Sequence, residues 1–128
     1  MPPANPMIEP DPRTLLPLTP AVFGILMALA DGEKHGYAIM QTVEVETEGG
    51  LRMGPGTLYG SLDRMLRAKL VVESEGSDDA TPHSGRRRFY RITDFGGRVL
   101  RADIRRLEQA MTIARRKKLT LRNGLVSP

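Results

Sequence analysis

The feature that most constrains the fold is residues 53–66, where a helix start leads into an amphipathic helix. Pro55 suits a first helical turn, because its fixed φ matches the helix and its missing N–H would have no partner there. The apolar residues that follow recur every three or four positions and therefore share one face: Leu58, Leu62, Met65 and Leu66. We predict that the other face carries Thr57, Gly60, Ser61, Arg64 and Arg67. An ordinary surface helix has the same spacing, so the neighbouring segments must decide between the two interpretations.

The chain before this helix divides into a proline-rich arm and two further helices. Six prolines in residues 1–17, with little apolar periodicity, predict a flexible arm. Thr19 can cap a helix whose first residue is Pro20, and the apolar run 21–30 predicts that this helix is buried on most sides. A second helix is expected over residues 35–47.

Two short strands and a long helix are predicted after residue 69. Residues 70–74 and 87–92 are rich in β-branched and aromatic side chains, and the polar loop between them predicts a hairpin with a long tip. Thr93 can then cap a helix over residues 94–118. Tyr37 and Phe89 are expected in the core, and one of the adjacent pair Phe89 and Tyr90 should point outward.

Three helices followed by a two-stranded wing predict a winged helix-turn-helix, a mostly α fold with a small β-hairpin and a long C-terminal helix. In such a fold the third helix can lay its polar face into the major groove of DNA. Groove contacts are predicted for Thr57, Tyr59, Ser61 and Arg64, although Tyr59 could equally pack between helices. Phosphate contacts are predicted for Lys69, Arg86, Arg87 and Arg88, because guanidinium groups pair bidentately with phosphate oxygens.

The charge distribution supports a polyanionic partner. Residues 1–85 hold 6 Lys and Arg against 12 Asp and Glu, whereas residues 86–128 hold 13 against 3. The net charge of +4 therefore conceals a strongly basic second half. No apolar run approaches the roughly 20 residues that span a bilayer, and the N-terminus shows no secretory signal, so a cytoplasmic protein without membrane association is expected.

Three motifs together resemble the PadR family of bacterial transcriptional regulators. They are His35-Gly36-Tyr37-Ala38-Ile39, Gly54-Pro55-Gly56-Thr57-Leu58-Tyr59 and Arg88-Phe89-Tyr90-Arg91-Ile92-Thr93-Asp94-Phe95-Gly96. The resemblance covers about residues 18–118 and is closest to the short subgroup with a single dimerisation helix after the wing. It implies a DNA-binding domain over 18–93, a dimerisation helix over 94–118 and a tail over 119–128. It also implies a homodimeric repressor that binds a double-stranded DNA operator and releases it when a small-molecule effector binds.

The long helix carries an apolar stripe with the heptad spacing of a coiled-coil seam. The stripe predicts dimerisation through Leu100, Ile104, Leu107, Met111 and Ala114. A two-fold dimer would present two recognition helices to a palindromic site. Packing of the stripe against its own domain is the alternative.

One departure from the family pattern occurs just before the wing. Family members place Gly shortly before the first wing strand, whereas this chain has Lys69. If residue 69 is left-handed, a residue other than glycine costs about 1 kcal/mol there. The chain also lacks Trp, which puts in doubt the stacking of flat aromatic ligands between Trp rings that some members use.

Other functional classes receive less support from the sequence. No P-loop, nucleophile elbow or paired catalytic carboxylates stand out, so no enzyme activity and no cofactor are expected. The absence of Cys and the isolated positions of His35 and His83 argue against a metal site. A winged-helix module that binds protein, or an RNA or anionic-surface binder acting through the basic last helix, remains an alternative.

Overall fold

The computed structural model describes residues 9–74, 88–119, 121–122 and 125–126. Four α-helices, one 3-10 helix and five short strands lie in these residues. In chain order they are η1 (Pro12–Leu15), α1 (Pro20–Leu29), β1 (Lys34–His35), α2 (Gly36–Glu46), α3 (Pro55–Arg67), β2 (Val71–Ser74), β3 (Phe89–Ile92), α4 (Asp94–Arg116), β4 (Leu121–Arg122) and β5 (Leu125–Val126). The prediction of a mostly helical winged fold with a long last helix is confirmed.

The helix starts follow the capping chemistry expected from the sequence. The Thr19 hydroxyl accepts a hydrogen bond from the Val22 N–H at 3.2 Å, and Pro20 is the first residue of α1. At the start of α4, the Thr93 hydroxyl accepts from the Gly96 N–H at 2.8 Å. Both bonds satisfy donors that a helix leaves unpaired in its first turn, so the two predicted starts are confirmed.

The wing contains one strand that the sequence analysis missed. β3 pairs antiparallel with β2 and, on its other side, with the two-residue strand β1, so the sheet order is β1-β3-β2. His35 belongs to β1 and also caps α2, because its Nδ1 accepts from the Ala38 N–H at 3.2 Å. Its ring lies nearly perpendicular to the Phe89 ring, at a centroid distance of 5.5 Å. Two residues are too few to show alternation, which is why β1 could not be predicted.

A single core joins the helices to the sheet. Its largest fully buried apolar side chains come from α1, α2, α3, β2 and α4, and they are Ile25, Leu26, Leu29, Ile39, Val43, Leu58, Leu62, Met65, Val71 and Val99. Tyr90 is buried while Phe89 is half-buried, so Phe89 is the outer member of the pair. The core position predicted for Tyr37 is wrong, because that side chain is 61% exposed in the first turn of α2.

Order begins earlier than the predicted boundary at residue 18. The Asp11 carboxylate accepts from the Arg13 N–H at 2.9 Å and caps η1, which packs against α4. Leu15 and Leu16 pack against the core cluster, so the structure places this part of the predicted arm against the domain. The packing of Leu15 and Leu16 could not be predicted, because the surrounding prolines interrupt any apolar periodicity. Residues 1–8 of the predicted arm lie outside the described residues.

None of the described helices is both long and apolar enough to cross a bilayer.

Lys69 adopts a left-handed backbone conformation, with φ of +64°. A contact with the start of α4 fixes this backbone conformation, because the Thr93 hydroxyl donates to the Lys69 carbonyl at 2.7 Å. We therefore expect Lys69→Gly to raise the free energy of unfolding by about 1 kcal/mol, measured by urea denaturation. Ala68 is the matched control, because it is right-handed at φ −83° and its change to Gly should give no gain. An unchanged denaturation midpoint for Lys69→Gly would show that the left-handed conformation of Lys69 does not destabilise the fold.

Candidate nucleic-acid interface

The turn between α2 and α3 sets the direction of the third helix. The Thr47 hydroxyl donates to the Val43 carbonyl at 2.8 Å and accepts from the Leu51 N–H at 3.0 Å, which ties the end of α2 to the next segment. Glu48 and Gly49 have φ of +53° and +80°, so the chain reverses at this point. These contacts fix α3 across α2 in the arrangement of a helix-turn-helix.

Helix α3 buries one face and exposes the other. Leu58, Leu62 and Met65 are in the core. Thr57 and Arg64 are exposed. They lie seven positions apart, about two turns, so these two residues predicted to contact the groove share one side of the helix.

Ser61 must be corrected from a groove residue to a core residue. It is 1% exposed, and its hydroxyl accepts a hydrogen bond from the Arg64 guanidinium at 3.4 Å. Ser61 lies three positions after Leu58 and four before Met65, which places it on the apolar stripe by spacing. The groove contact was predicted from the polarity of Ser61, although its helical spacing indicates the buried face.

Tyr59 lies on the opposite flank of α3 from Thr57 and Arg64, over the start of α2. The residue is 48% exposed, and a Cβ at Gly36 would overlap the phenol oxygen and approach the ring carbon Cζ to 2.8 Å. Gly36 therefore leaves the space that the Tyr59 phenol occupies. Tyr37, the residue after Gly36, is exposed. Its exposure could not be predicted, because Tyr37 belongs to an otherwise apolar helical pattern.

Among the basic residues predicted to hold phosphates, Lys69 and Arg88 are both exposed. The Arg88 guanidinium pairs with the Glu73 carboxylate across β2 and β3 at 3.2 Å. Burial raises the pKa of the neighbouring Tyr90 phenol, and the charge of Glu73 adds to that effect. The exposed ion pair is weak enough to open, since pairs of this kind contribute about 0–1 kcal/mol. Arg86 and Arg87 lie outside the described residues.

The apolar stripe on α4 divides into a covered half and an uncovered half. Leu100 is 5% exposed inside the domain core, so it is corrected from a seam residue to a core residue. Helix α4 packs on α1 and on η1. Ile104 is half-buried against the same core. Leu107 and Met111 are 38% and 45% exposed, and the half-buried Ala114 continues their line.

Comparison with known proteins places this arrangement among transcriptional regulators. The model of the transcriptional regulator PadR-like family matches residues 25–102. The chain is 36% identical over 85 residues to the transcriptional regulator Rv3488 of Mycobacterium tuberculosis, which covers 66% of this chain and 73% of that protein. It is also 41% identical over 76 residues to a 37.1 kDa protein of transposon TN4556 from Streptomyces fradiae, covering 59% of this chain but 19% of that protein.

Solved structures share the fold. A PadR family transcription regulator from Clostridium difficile R20291 superposes with a TM-score of 0.63 at 20% identity, over 77% of this chain and 97% of that one. A transcriptional regulator from Clostridium thermocellum gives a TM-score of 0.61 at 21% identity, over 75% and 87% of the two chains.

Proposed function

Because the chain belongs to the PadR-like family of transcriptional regulators, we propose that it is a homodimeric repressor that binds a palindromic operator and releases it when a small ligand binds. Its place in the family makes it a DNA-binding regulator and not an enzyme. The proposal adds the oligomeric state, the symmetry of the site and the response to a ligand.

The observation that carries the proposal is the uncovered apolar half of α4. Leu107 and Met111 lie four positions apart on one exposed face of the helix, past the turns that pack on the core. A second copy of the same helix would cover these side chains with the same residues, as a two-fold interface requires. Two-fold symmetry then relates the two α3 helices and demands a palindromic site.

Within this proposal the exposed groups of α3 and of the wing have different roles. Thr57 and Arg64 contact base edges, and Tyr59, on the opposite flank of α3, contacts the groove wall. Lys69 and the arginines Arg86–Arg88 hold phosphates, which contribute affinity and salt dependence without sequence preference.

Selection of bound sequences from a random pool of duplex DNA tests the operator directly. We expect enriched sequences with two inverted half-sites whose centres lie about 10 base pairs, or a multiple of that, apart. Enrichment of single half-sites would contradict the dimeric operator. Failure to enrich any sequence at low salt would contradict the repressor itself.

The wing makes a separate electrostatic prediction. Arg87→Ala with Arg88→Ala should weaken operator binding and reduce the slope of log K against log salt by about 2, since each lost phosphate contact contributes about 0.9. A gel-shift titration over a salt series measures both quantities. The variant Arg116→Ala with Lys117→Ala removes the same charge from the end of α4 and is the matched control. If both variants lower the slope equally, net charge and not the wing is responsible.

A further inference from the structure

A cleft between η1 and the first half of α4 collects guanidinium groups. This cleft is open to solvent and has a volume of about 320 Å³. Its charged lining consists of one acid, Asp11, and four arginines, which are Arg13, Arg98, Arg101 and Arg105. Pro12 and Ala102 contribute apolar surface between these charges. The volume is at the lower end of the range of about 300–1,000 Å³ typical of small-molecule sites.

Two of the four arginines are already paired with acids. Arg98 forms an ion pair with Glu9, and Arg13 lies 2.8 Å from the Asp11 carboxylate. The hydrogen bond from the Arg13 side chain lowers the pKa of Asp11 to about 2, so this acid stays ionised at neutral pH. Within the part of the chain that the structure describes, no carboxylate pairs with Arg101 or Arg105. The cleft therefore holds two positive charges in excess.

We propose that this cleft binds a small organic dianion, of which a linear dicarboxylate is the simplest form, through Arg101 and Arg105. The two residues are four positions apart on α4, which separates their backbones by about 6 Å along the axis. Each guanidinium can take one carboxylate in a bidentate pair. The hydrocarbon between the carboxylates lies against Pro12 and Ala102.

The site offers a route from ligand to DNA. The cleft joins η1 to α4, and Arg105 precedes the exposed residues Leu107 and Met111 by two and six positions. A bound dianion therefore bridges the N-terminal segment and the proposed dimerisation helix. This effector role rests on the proposed repressor function, whereas binding of the dianion can be measured without DNA.

Calorimetric titration of the full chain with dicarboxylates from succinate to adipate tests the site. Monocarboxylates of the same length, at matched ionic strength, are the ligand controls. We expect at least one dicarboxylate to bind at least tenfold more tightly than its monocarboxylate. Arg101→Gln with Arg105→Gln should weaken that binding at least tenfold, while Arg116→Gln with Lys117→Gln should change it less than twofold. Both pairs are exposed, so circular dichroism should show an unchanged fold.

Three outcomes would overturn the proposal. Equal binding of dicarboxylates and monocarboxylates would show that the cleft has no preference for a dianion. Unchanged binding in the Arg101 and Arg105 double variant would place the site elsewhere. If that variant instead loses affinity for the selected operator and lowers the salt slope without any effect of dicarboxylates, the cleft is a phosphate-contact surface. A dicarboxylate that binds without changing operator affinity would overturn the effector role, and failure of the operator selection would leave the calorimetric result unaffected.

Discussion

Leu107→Glu with Met111→Glu should convert the protein to monomers and weaken operator binding roughly 100-fold or more, since the second half-site then gains nothing from the first. Each new carboxylate would have to be buried in an apolar seam without a partner, which strongly opposes association. Both side chains are exposed in the protomer, so the variant should fold normally. Sedimentation velocity gives the mass and a gel-shift titration gives the affinity.

A control on the same helix separates the seam from a general effect of added acid. Gln109→Glu with Arg116→Glu changes two exposed positions away from Leu107 and Met111. This variant should sediment as a dimer. An intact dimer in the Leu107 and Met111 variant would show that the exposed stripe is not the interface, and Ile104 would then be the next position to test.

The sequence predicted best where structure depends on short-range chemistry. Hydroxyl caps at Thr19 and Thr93 and prolines in first helical turns are local signals, and each marks a real helix start. The left-handed Lys69 was also accessible, because the family pattern places glycine near that position. Each of these features involves residues within a few positions of one another.

The site was predictable only in part, because exposure depends on contacts between distant segments. Ser61 was assigned to the groove by its polarity although helical spacing placed it in the core. Tyr37 was assigned to the core by its apolar ring although the turn of α2 leaves it exposed. Leu100 belongs to a regular heptad stripe, and only its burial in the domain core shows that the stripe changes partner along α4.

The cleft at η1 illustrates the same limit. Arg98, Arg101 and Arg105 look like the solvated side of a helix when α4 is considered alone. The cleft exists because η1, separated from them by about 90 residues of chain, packs against that side. No local pattern in a proline-rich segment predicts such a contact.

Gly96→Ala should destabilise the protein by about 3 kcal/mol or more, a large effect for a single methyl group. A Cβ at this position would overlap the Leu70 carbonyl oxygen and stand 3.0 Å from Ile92 Cγ1. The carbonyl cannot move away freely, because it accepts the Thr93 N–H at 3.0 Å and holds α4 to the start of β2. Thermal denaturation should show a midpoint lower by about 12 °C or more.

Gly97→Ala is the matched control, since the adjacent glycine lies in the same helical turn. Its Cβ would meet only the Arg101 guanidinium, at 3.7 Å, which is ordinary contact with the end of a flexible side chain. Alanine is the better helix former, so this variant should gain about 0.5–1 kcal/mol. Changes of opposite sign in the free energy of unfolding would show why glycine is required at position 96. The cause would then be the close approach of the Gly96 backbone to Leu70, and not helix propensity. Destabilisation of similar size in both variants would contradict that explanation.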